Sequence, residues 1–561
     1  MVSHIPAANQ AAGPTSYRIE PVPATEATPA NTMQEKAAQF LATHGGGATS
    51  FTYEEEKSVL KRINLRVLPL ILGAYFFQQL DKSSLSYVSI FGFQEDANLH
   101  GRQYSWLGSI LYIAQLVWQP AAAFILVKLP NGKVIAAAIF LWGSSLAIMT
   151  SCTNFGSLLG LRFLLGTFEA MIAPSCLAVT TTWWRRSEQT LVTSSWNAMN
   201  GVTFIVGSLF TYGLGHIESD KLYKYQIIFL YRGRRSWDRR TDRVARFCGL
   251  LTVTYSLIVL VLMPDSPMSA KYLTEREKVI AVERLRANQM GIQSGVWRWD
   301  HVWETFMDLK TWCWFILVIA ISIASGGIST FGNLIVKSFG YNSFQTILFN
   351  IPFGVIQIIA IMGSGWIATR TQRKGLVIAG IAVIPAIGTI LMLTVPRQHK
   401  GVLLFGYYLV STLAAITPLI YTWQAQNTAG DTKKKTTSAV VFIGMCTGNI
   451  IGPLLYSVDD APVYRPGLIS NLVMFVLVAF MGALIPLYLK CLNVQHAKRR
   501  EALGKSTQIV DESMMRNKDV QDSKTVELEE APQRQQHRAI EEDLGLQDMT
   551  DLKNEDFIFV Y

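Results

Sequence analysis

Charge is scarce in this chain. Asp, Glu, Lys and Arg make up 16% of its 561 residues, against the roughly 25% expected of a soluble globular protein. Half of the residues are hydrophobic, so a soluble enzyme is a poor reading and lipid is the expected surrounding. The six cysteines, Cys152, Cys176, Cys248, Cys313, Cys446 and Cys491, form no C-x-x-C pair and no Cys/His cluster. They read as single packing residues, not as a metal or redox centre. The eight His show no metal-ligand spacing. No G-x-x-x-x-G-K-[ST] loop is present, and no long soluble region exists to house an ATPase. No cofactor is expected, and any work must be driven by an ion gradient or by the substrate's own gradient. The N-terminal stretch is polar, so no cleavable secretory signal is expected.

What the chain has is long apolar runs. A membrane-spanning helix needs about 20 mainly apolar residues, and such runs lie near 66–88, 104–127, 132–150, 158–182, 190–214 and 225–263, then near 312–335, 345–367, 375–394, 403–427, 436–457 and 466–490. The pattern is six plus six. The expected fold is an all-α membrane protein of 12 transmembrane helices, with an N-terminal half at 63–263 and a C-terminal half at 312–490. A cytosolic linker at 264–311 joins them and carries a helical segment with Val279, Val282 and Leu285 as an apolar stripe. Residues 1–62 and 491–561 are polar and are expected to be disordered tails. The aromatic end DFIFVY is either a docking element for a partner or an ordinary chain terminus.

Lys and Arg set the orientation, because short cytosolic loops retain positive charge. With the N-terminus inside, the short inner loops hold Lys128, Lys133, Arg185, Arg186, Arg370, Arg373, Lys374 and Lys433 to Lys435, more than the outer loops hold. Both ends are therefore expected in the cytosol, and the plasma membrane is the expected location. One stretch resists this scheme. Residues 231–246, YRGRRSWDRRTDRVAR, carry seven Arg and two Asp between YQIIFL and FCGLLTVTYSLIVLVLM. Each Arg at the bilayer centre costs at least about 2.5 kcal/mol, and leaving the stretch out joins its flanks into a continuous span. Such a stretch is either foreign to the functional protein, as a short unspliced intron read in frame would be, or an enlarged outer loop before a short helix. It also supplies half of the formal net charge of +10, so the basic balance does not point to nucleic acid.

Ionisable residues inside a span are functional candidates by default. Asp81 and Lys82 lie in the first run, about 22 Å from its inner end at Arg66 at ~1.5 Å per residue. Arg162, Gly166 and Glu169 share one face of the fourth run. Arg162 lies at about the depth of Asp81 and Lys82, with Glu169 nearer the midplane, where transporter sites are found. Two carboxylates and two cations at matched depth suit an anion plus a proton, since moving a cation away from a buried carboxylate favours its protonation. The same charges would equally serve as a permanent ion-pair network. The tenth run ends in YTWQAQNTAGDTKKK, which puts Trp423, Asn427 and Gly430 on one face as an inner gate, a substrate contact or a helix cap. Gly444, Gly448 and Gly452 in the eleventh run are spaced for close helix packing, with Asn449 a further site candidate.

LDKSSLSY, LRFLLGTFEAMIAPS, WQAQNTAGDTKKKT and GNIIGP, together with MPDSPMSAKYLTEREK and SFGYNSFQTILFNIPFG, resemble the anion:cation symporter family of the major facilitator superfamily, in its fungal allantoate permease branch. The resemblance spans about residues 55–490. It implies proton-coupled uptake of a small carboxylate, such as allantoate, a ureido acid or a vitamin acid, by alternating access of two halves in a monomer. It assigns Asp81 and Glu169 to protonation and Lys82 to substrate binding, with Arg162 as the coupled cation; Trp423, Asn427 and Asn449 stand beside them as substrate-contact candidates from their helix positions alone. VKLPNGKV after the second run lacks the full superfamily loop signature, and residues 231–246 interrupt a helix that is continuous in the family. A non-transporting nutrient sensor, or a product inactivated by that stretch, are the competing readings. Sequencing the transcript across codons 231–246 is expected to show a message without them; a cDNA that retains them identifies the stretch as native.

Overall fold

The computed structural model describes residues 52–89, 103–149, 155–215, 243–286, 288, 296–505, 511, 513–514 and 548–561. The regular secondary structure of these residues is helical. The N-terminal bundle comprises α1 (Tyr53–Arg66), α2 (Leu68–Ser89), α3 (Gln103–Lys128), α4 (Asn131–Met149), α5 (Phe155–Glu169), α6 (Ile172–Trp183), α7 (Arg186–Gly215) and α8 (Arg243–Leu262). Two linker helices follow, α9 (Glu275–Arg286) and α10 (Trp299–Met307). The second bundle comprises α11 (Leu309–Ser338), α12 (Ser343–Leu348), α13 (Asn350–Thr371), α14 (Lys374–Thr394), α15 (Lys400–Val410), α16 (Ile416–Gln426), α17 (Asp431–Leu454) and α18 (Arg465–Ala502).

Among the described residues, nine helices are long and apolar enough to cross a membrane. Helices α2, α7 and α8 fall at other expected spans, with polar residues such as Gln78, Gln79, Asp81 and Lys82 diluting α2. The lipid-facing surface is legible on α18, where Val473, Val476, Phe480, Leu484 and Leu487 recur every three or four residues and are all exposed. Phe475, Val478, Ile485 and Leu489 of the same helix are buried, as a helix with one face on lipid and one on protein requires.

Local chemistry sets the helix ends. Thr52 and Glu55 form a reciprocal capping box that opens α1, and Asn342 with Gln345 does the same for α12. Between α16 and α17, Gly430 adopts φ 86°, a region L side chains rarely enter. The chain therefore turns there, and Trp423, Asn427 and Gly430 do not share a continuous helical face: α16 ends at Gln426. Lys433 to Lys435, expected in a loop, instead lie in the first turns of α17, with Lys433 fully buried.

The three spaced glycines of α17 pack it against α11. A Cβ on Gly448 would come within 2.6 Å of Ser322, and one on Gly452 within 2.4 Å of the Ile323 carbonyl. The bundles meet on two seams, α3 with α17 and α7 with α13. On the second seam the backbones approach so closely that a Cβ on Gly201 would lie 2.5 Å from the Gly354 carbonyl.

On one side of the molecule, here the linker face, α1, α9, α10 and the end of α18 gather. Glu56 on α1 binds Arg185 at 3.3 Å and Arg284 of α9 at 2.9 Å, and Arg284 binds Glu188 at 2.6 Å. The linker is thus tied to the bundle, with Val279 and Val282 buried as the stripe predicts. Two departures from sequence-based expectation follow. Residues 491–502 continue α18, and residues 548–561 pack on the linker face with Phe557 and Phe559 buried; the disordered tail expected from 491 onward does not hold for them, because the partners that bury these aromatics are distant in sequence. Of the Arg-rich stretch, 243–246 form the first turn of α8, and 231–242 lie outside the described residues. Gly452→Val is expected to lower stability by about 1–3 kcal/mol through overpacking, read as a lowered thermal unfolding temperature of the detergent-solubilised protein.

Candidate functional site

A cavity of about 230 Å³ lies between the bundles, in the half of the molecule away from the linker face. Its walls come from the distal portions of α3, α11, α13 and α17, with Tyr75 and Lys82 of α2 and Asn197 and Asn200 of α7. Toward the linker face it is closed. Trp196 of α7 stacks on Tyr421 of α16 at 6.5 Å between ring centroids, and below them Arg186 donates to the Gln426 carbonyl while the Gln426 side-chain amide donates to the Arg186 carbonyl.

The charged group sits on the wall of this cavity. Lys82 Nζ lies 3.0 Å from Glu169 Oε1, with the Glu169 side chain wholly buried and the Lys82 side chain 17% exposed. Lys82 lines the cavity, whereas Glu169 does not, so the ammonium stands between cavity and carboxylate. Its position is fixed further by the Tyr112 ring, 5.8 Å away. The face predicted for α5 is the one that packs on α3: Arg162 Nη1 donates to the Leu107 carbonyl at 3.4 Å, and a Cβ on Gly166 would come within 2.5 Å of the Leu111 carbonyl. Glycine at this position lets α5, the helix that carries Glu169, lie closely against α3. Gln78 Nε2 donates to the Glu169 backbone carbonyl at 3.3 Å, where α5 gives way to α6.

Arg162 also lines the cavity, and Asp81 interacts electrostatically with both Glu169 and Arg162 without lining it. The four ionisable residues singled out in the sequence therefore form one cluster. Asn449 lines the cavity as well, its amide donating at 2.8 Å to the Met445 carbonyl of its own helix. Trp423 and Asn427 do not line it. Both are fully buried at the linker face, Trp423 edge-on to Trp314 at 4.8 Å. Their separation from the cluster follows from the run of α16, which carries its C-terminal end to the linker face.

Sequence reasoning missed much of the neutral lining. Tyr75 donates to Asn197 Oδ1 at 3.3 Å, and Asn350 donates to Asn333 Oδ1 at 2.9 Å; Asn200 and Gln357 also reach the cavity. Amides in apolar helices were a usable signal, since such groups seek partners inside a bundle.

The family model of the Major Facilitator Superfamily matches residues 71–453. The chain belongs to this superfamily. It is 32% identical to an uncharacterized transporter of Schizosaccharomyces pombe over 437 residues, 77% of this chain and 80% of that one. It is 30% identical to the thiamine pathway transporter THI73 of Saccharomyces cerevisiae, covering 75% of this chain and 77% of the relative. It is 28% identical to the allantoate permease of the same yeast, covering 81% and 82%. Among solved structures, the fucose:proton symporter of E. coli aligns with a TM-score of 0.54 at 14% identity, over 75% of this chain and 98% of the symporter. The human organic anion transporter MFSD10 aligns with a TM-score of 0.51 at 12% identity, over 75% and 99%. The fold is that of a major facilitator, and the protein is a multi-pass membrane transporter and not an enzyme.

Breaking a buried ion pair from one side leaves an uncompensated charge, which costs about 3–5 kcal/mol, whereas replacing both partners by apolar or neutral groups costs far less. Lys82→Met is therefore expected to lower the unfolding temperature more than the Lys82→Met/Glu169→Gln double variant does. Equal losses would show that the pair carries no mutual dependence.

Proposed function

We propose that this transporter takes up a small organic anion together with a proton, binding the anion at Lys82 and Arg162 and the proton at Glu169 and Asp81. The observation that carries the reading is the order of groups at the cavity wall: a cation facing the cavity with a carboxylate sealed behind it. A substrate carboxylate drawing Lys82 toward the cavity withdraws that cation from Glu169, and a buried carboxylate so deprived is neutralised most cheaply by a proton. Anion and proton then bind together and leave together. The cavity volume of about 230 Å³ is below the roughly 300–1,000 Å³ of pockets for drug-sized ligands, which favours a small acid. The amides of Asn197, Asn200 and Asn449 offer donors and acceptors for a ureido or carbonyl group of such an acid. Similarity to an allantoate permease is in keeping with that choice.

The linker face is taken as cytosolic because the inner-loop Lys and Arg residues collect there, which makes the described conformation outward-facing, in the plasma membrane. The protein works as a monomer that alternates access between its two bundles. Twelve spans give two six-helix halves, and Trp423, Asn427 and Asn449 divide between the inner closure and the cavity wall. A retained ion pair at the cavity wall supports transport over a purely sensory role.

In proteoliposomes with an imposed pH gradient, assayed with radiolabelled allantoate and a panel of ureido and vitamin carboxylates, Glu169→Gln is expected to reduce concentrative uptake at least tenfold. Substrate counterflow, which needs no net proton movement, is expected to survive. Concentrative uptake at the original level in Glu169→Gln would overturn the proton assignment.

A further inference from the structure

We propose that residues 548–561 are an internal ligand of the linker face that holds the two bundles closed there, so that the segment must leave before that face can open. The inference rests on alternating access by a major facilitator, and not on the substrate or on proton coupling.

The segment is held by built contacts and not by loose packing. Two asparagines each grip one of its backbone units. Asn427 accepts from the Val560 amide at 2.7 Å and donates to the Val560 carbonyl at 3.0 Å. Asn493 of α18 does the same for Phe559, at 2.8 and 2.9 Å. Trp423 Nε1 adds a 2.8 Å bond to the Val560 carbonyl. These pairings explain why Trp423 and Asn427 are buried far from the cavity: what they bind is the chain's own C-terminal segment.

Charge secures the other end. Asp551 is fully buried and lies between Lys433 Nζ, at 3.0 Å, and Lys310 Nζ, with which it makes a close ion pair. Burial alone would raise the Asp551 carboxyl, but the ammonium groups of Lys310 and Lys433 outweigh it and hold the group well below the usual carboxylate range. A group held that low stays ionised at neutral pH, and its contribution is lost only on strong acidification.

All of these anchors lie in the second bundle. The bridge to the first is Arg186 at the start of α7, whose Nη2 donates to the Ile558 carbonyl at 3.0 Å and whose guanidinium lies 5.0 Å from the Phe557 ring centroid. Arg186 is also the residue that closes the floor against Gln426. One arginine of the N-terminal bundle thus depends on both the closed inter-bundle contact and the docked segment. Separation of the bundles at this face breaks the two together. A second bridge has the same form, with Gln372 donating to the Met514 carbonyl at 3.0 Å from one bundle and Arg186 reaching Ser513 at 3.2 Å from the other.

The test measures the opening directly. Spin labels are placed at Lys128→Cys and Thr371→Cys, exposed positions at the linker-face ends of α3 and α13, in a full-length chain whose native cysteines are replaced. Double electron–electron resonance on the purified protein then reads the distance across that face without any substrate. The otherwise intact chain is expected to give a single short distance. Asp551→Asn combined with Val560→Pro, which removes the buried charge and the amide that Asn427 accepts, is expected to raise the long-distance fraction at least tenfold. A synthetic peptide of residues 548–561, added in excess, is expected to restore the short distance, and Asp551→Asn alone is expected to shift it in the same direction by less. Superimposable distributions for the intact and doubly substituted chains would overturn the proposal, as would a long-distance fraction that the peptide does not reverse. Failure of the anion or proton reading would show in uptake and leave these distances unaffected.

Discussion

Lipid cannot solvate a charge, and the arrangement of this molecule follows from where its intramembrane charges are hidden. The Lys82–Glu169 pair is the clearest case. Glu169 is sealed completely, Lys82 reaches the cavity, and Gly166 lets α5, the helix that carries Glu169, lie against α3. A buried pair of this kind contributes little net stability by itself, so its value lies in what it makes conditional. Either charge can be satisfied by a partner that comes and goes, as the proposed uptake of an anion with a proton requires.

The same constraint governs the linker face, with a different outcome. There Glu56, Arg185, Arg284 and Glu188 form one network, and Lys310, Lys433, Asp308, Glu304 and Asp551 form another. The first ties the linker to the N-terminal bundle; the second ties the C-terminal segment to the other bundle. Opening this face need not break the first network, whereas in the second the Asp551 pairs with Lys310 and Lys433 are released if the segment leaves as proposed. What must give way are the contacts between bundles: the Arg186 bonds to Gln426 and Ile558, the Trp196–Tyr421 stack, and the seam where Gly201 meets Gly354. Ion pairs tie each body together while the bodies meet over two packed seams, α3 with α17 and α7 with α13, so the proposed rigid-body switching has to exchange packing at those seams.

Much of this was legible in the chain itself. Apolar runs of bilayer length mark the helices because every backbone polar group in lipid must be satisfied within its own segment, so span positions are a local property. The depth of Asp81, Lys82, Arg162 and Glu169 also follows from a fixed rise per residue, and the structure brings these four together. The spaced glycines of α17 are likewise readable as a close seam. The glycine turn at Gly430, by contrast, removes the helical face that periodicity assigned to Trp423, Asn427 and Gly430, since a left-handed φ leaves no periodic trace.

Sequence by itself determined that this is a multi-pass membrane protein with an ionisable cluster between its first and fourth spans, because hydropathy and helical spacing act within one segment. Only the tertiary structure decided that Lys82, and not Glu169, faces the cavity, and that neutral amides from α7, α11 and α13 complete its wall. It alone decided that DFIFVY is held by Asn427, Asn493 and Arg186. Each of these depends on residues tens to hundreds of positions apart, whose encounter is set by how helices pack and not by any pattern along the chain.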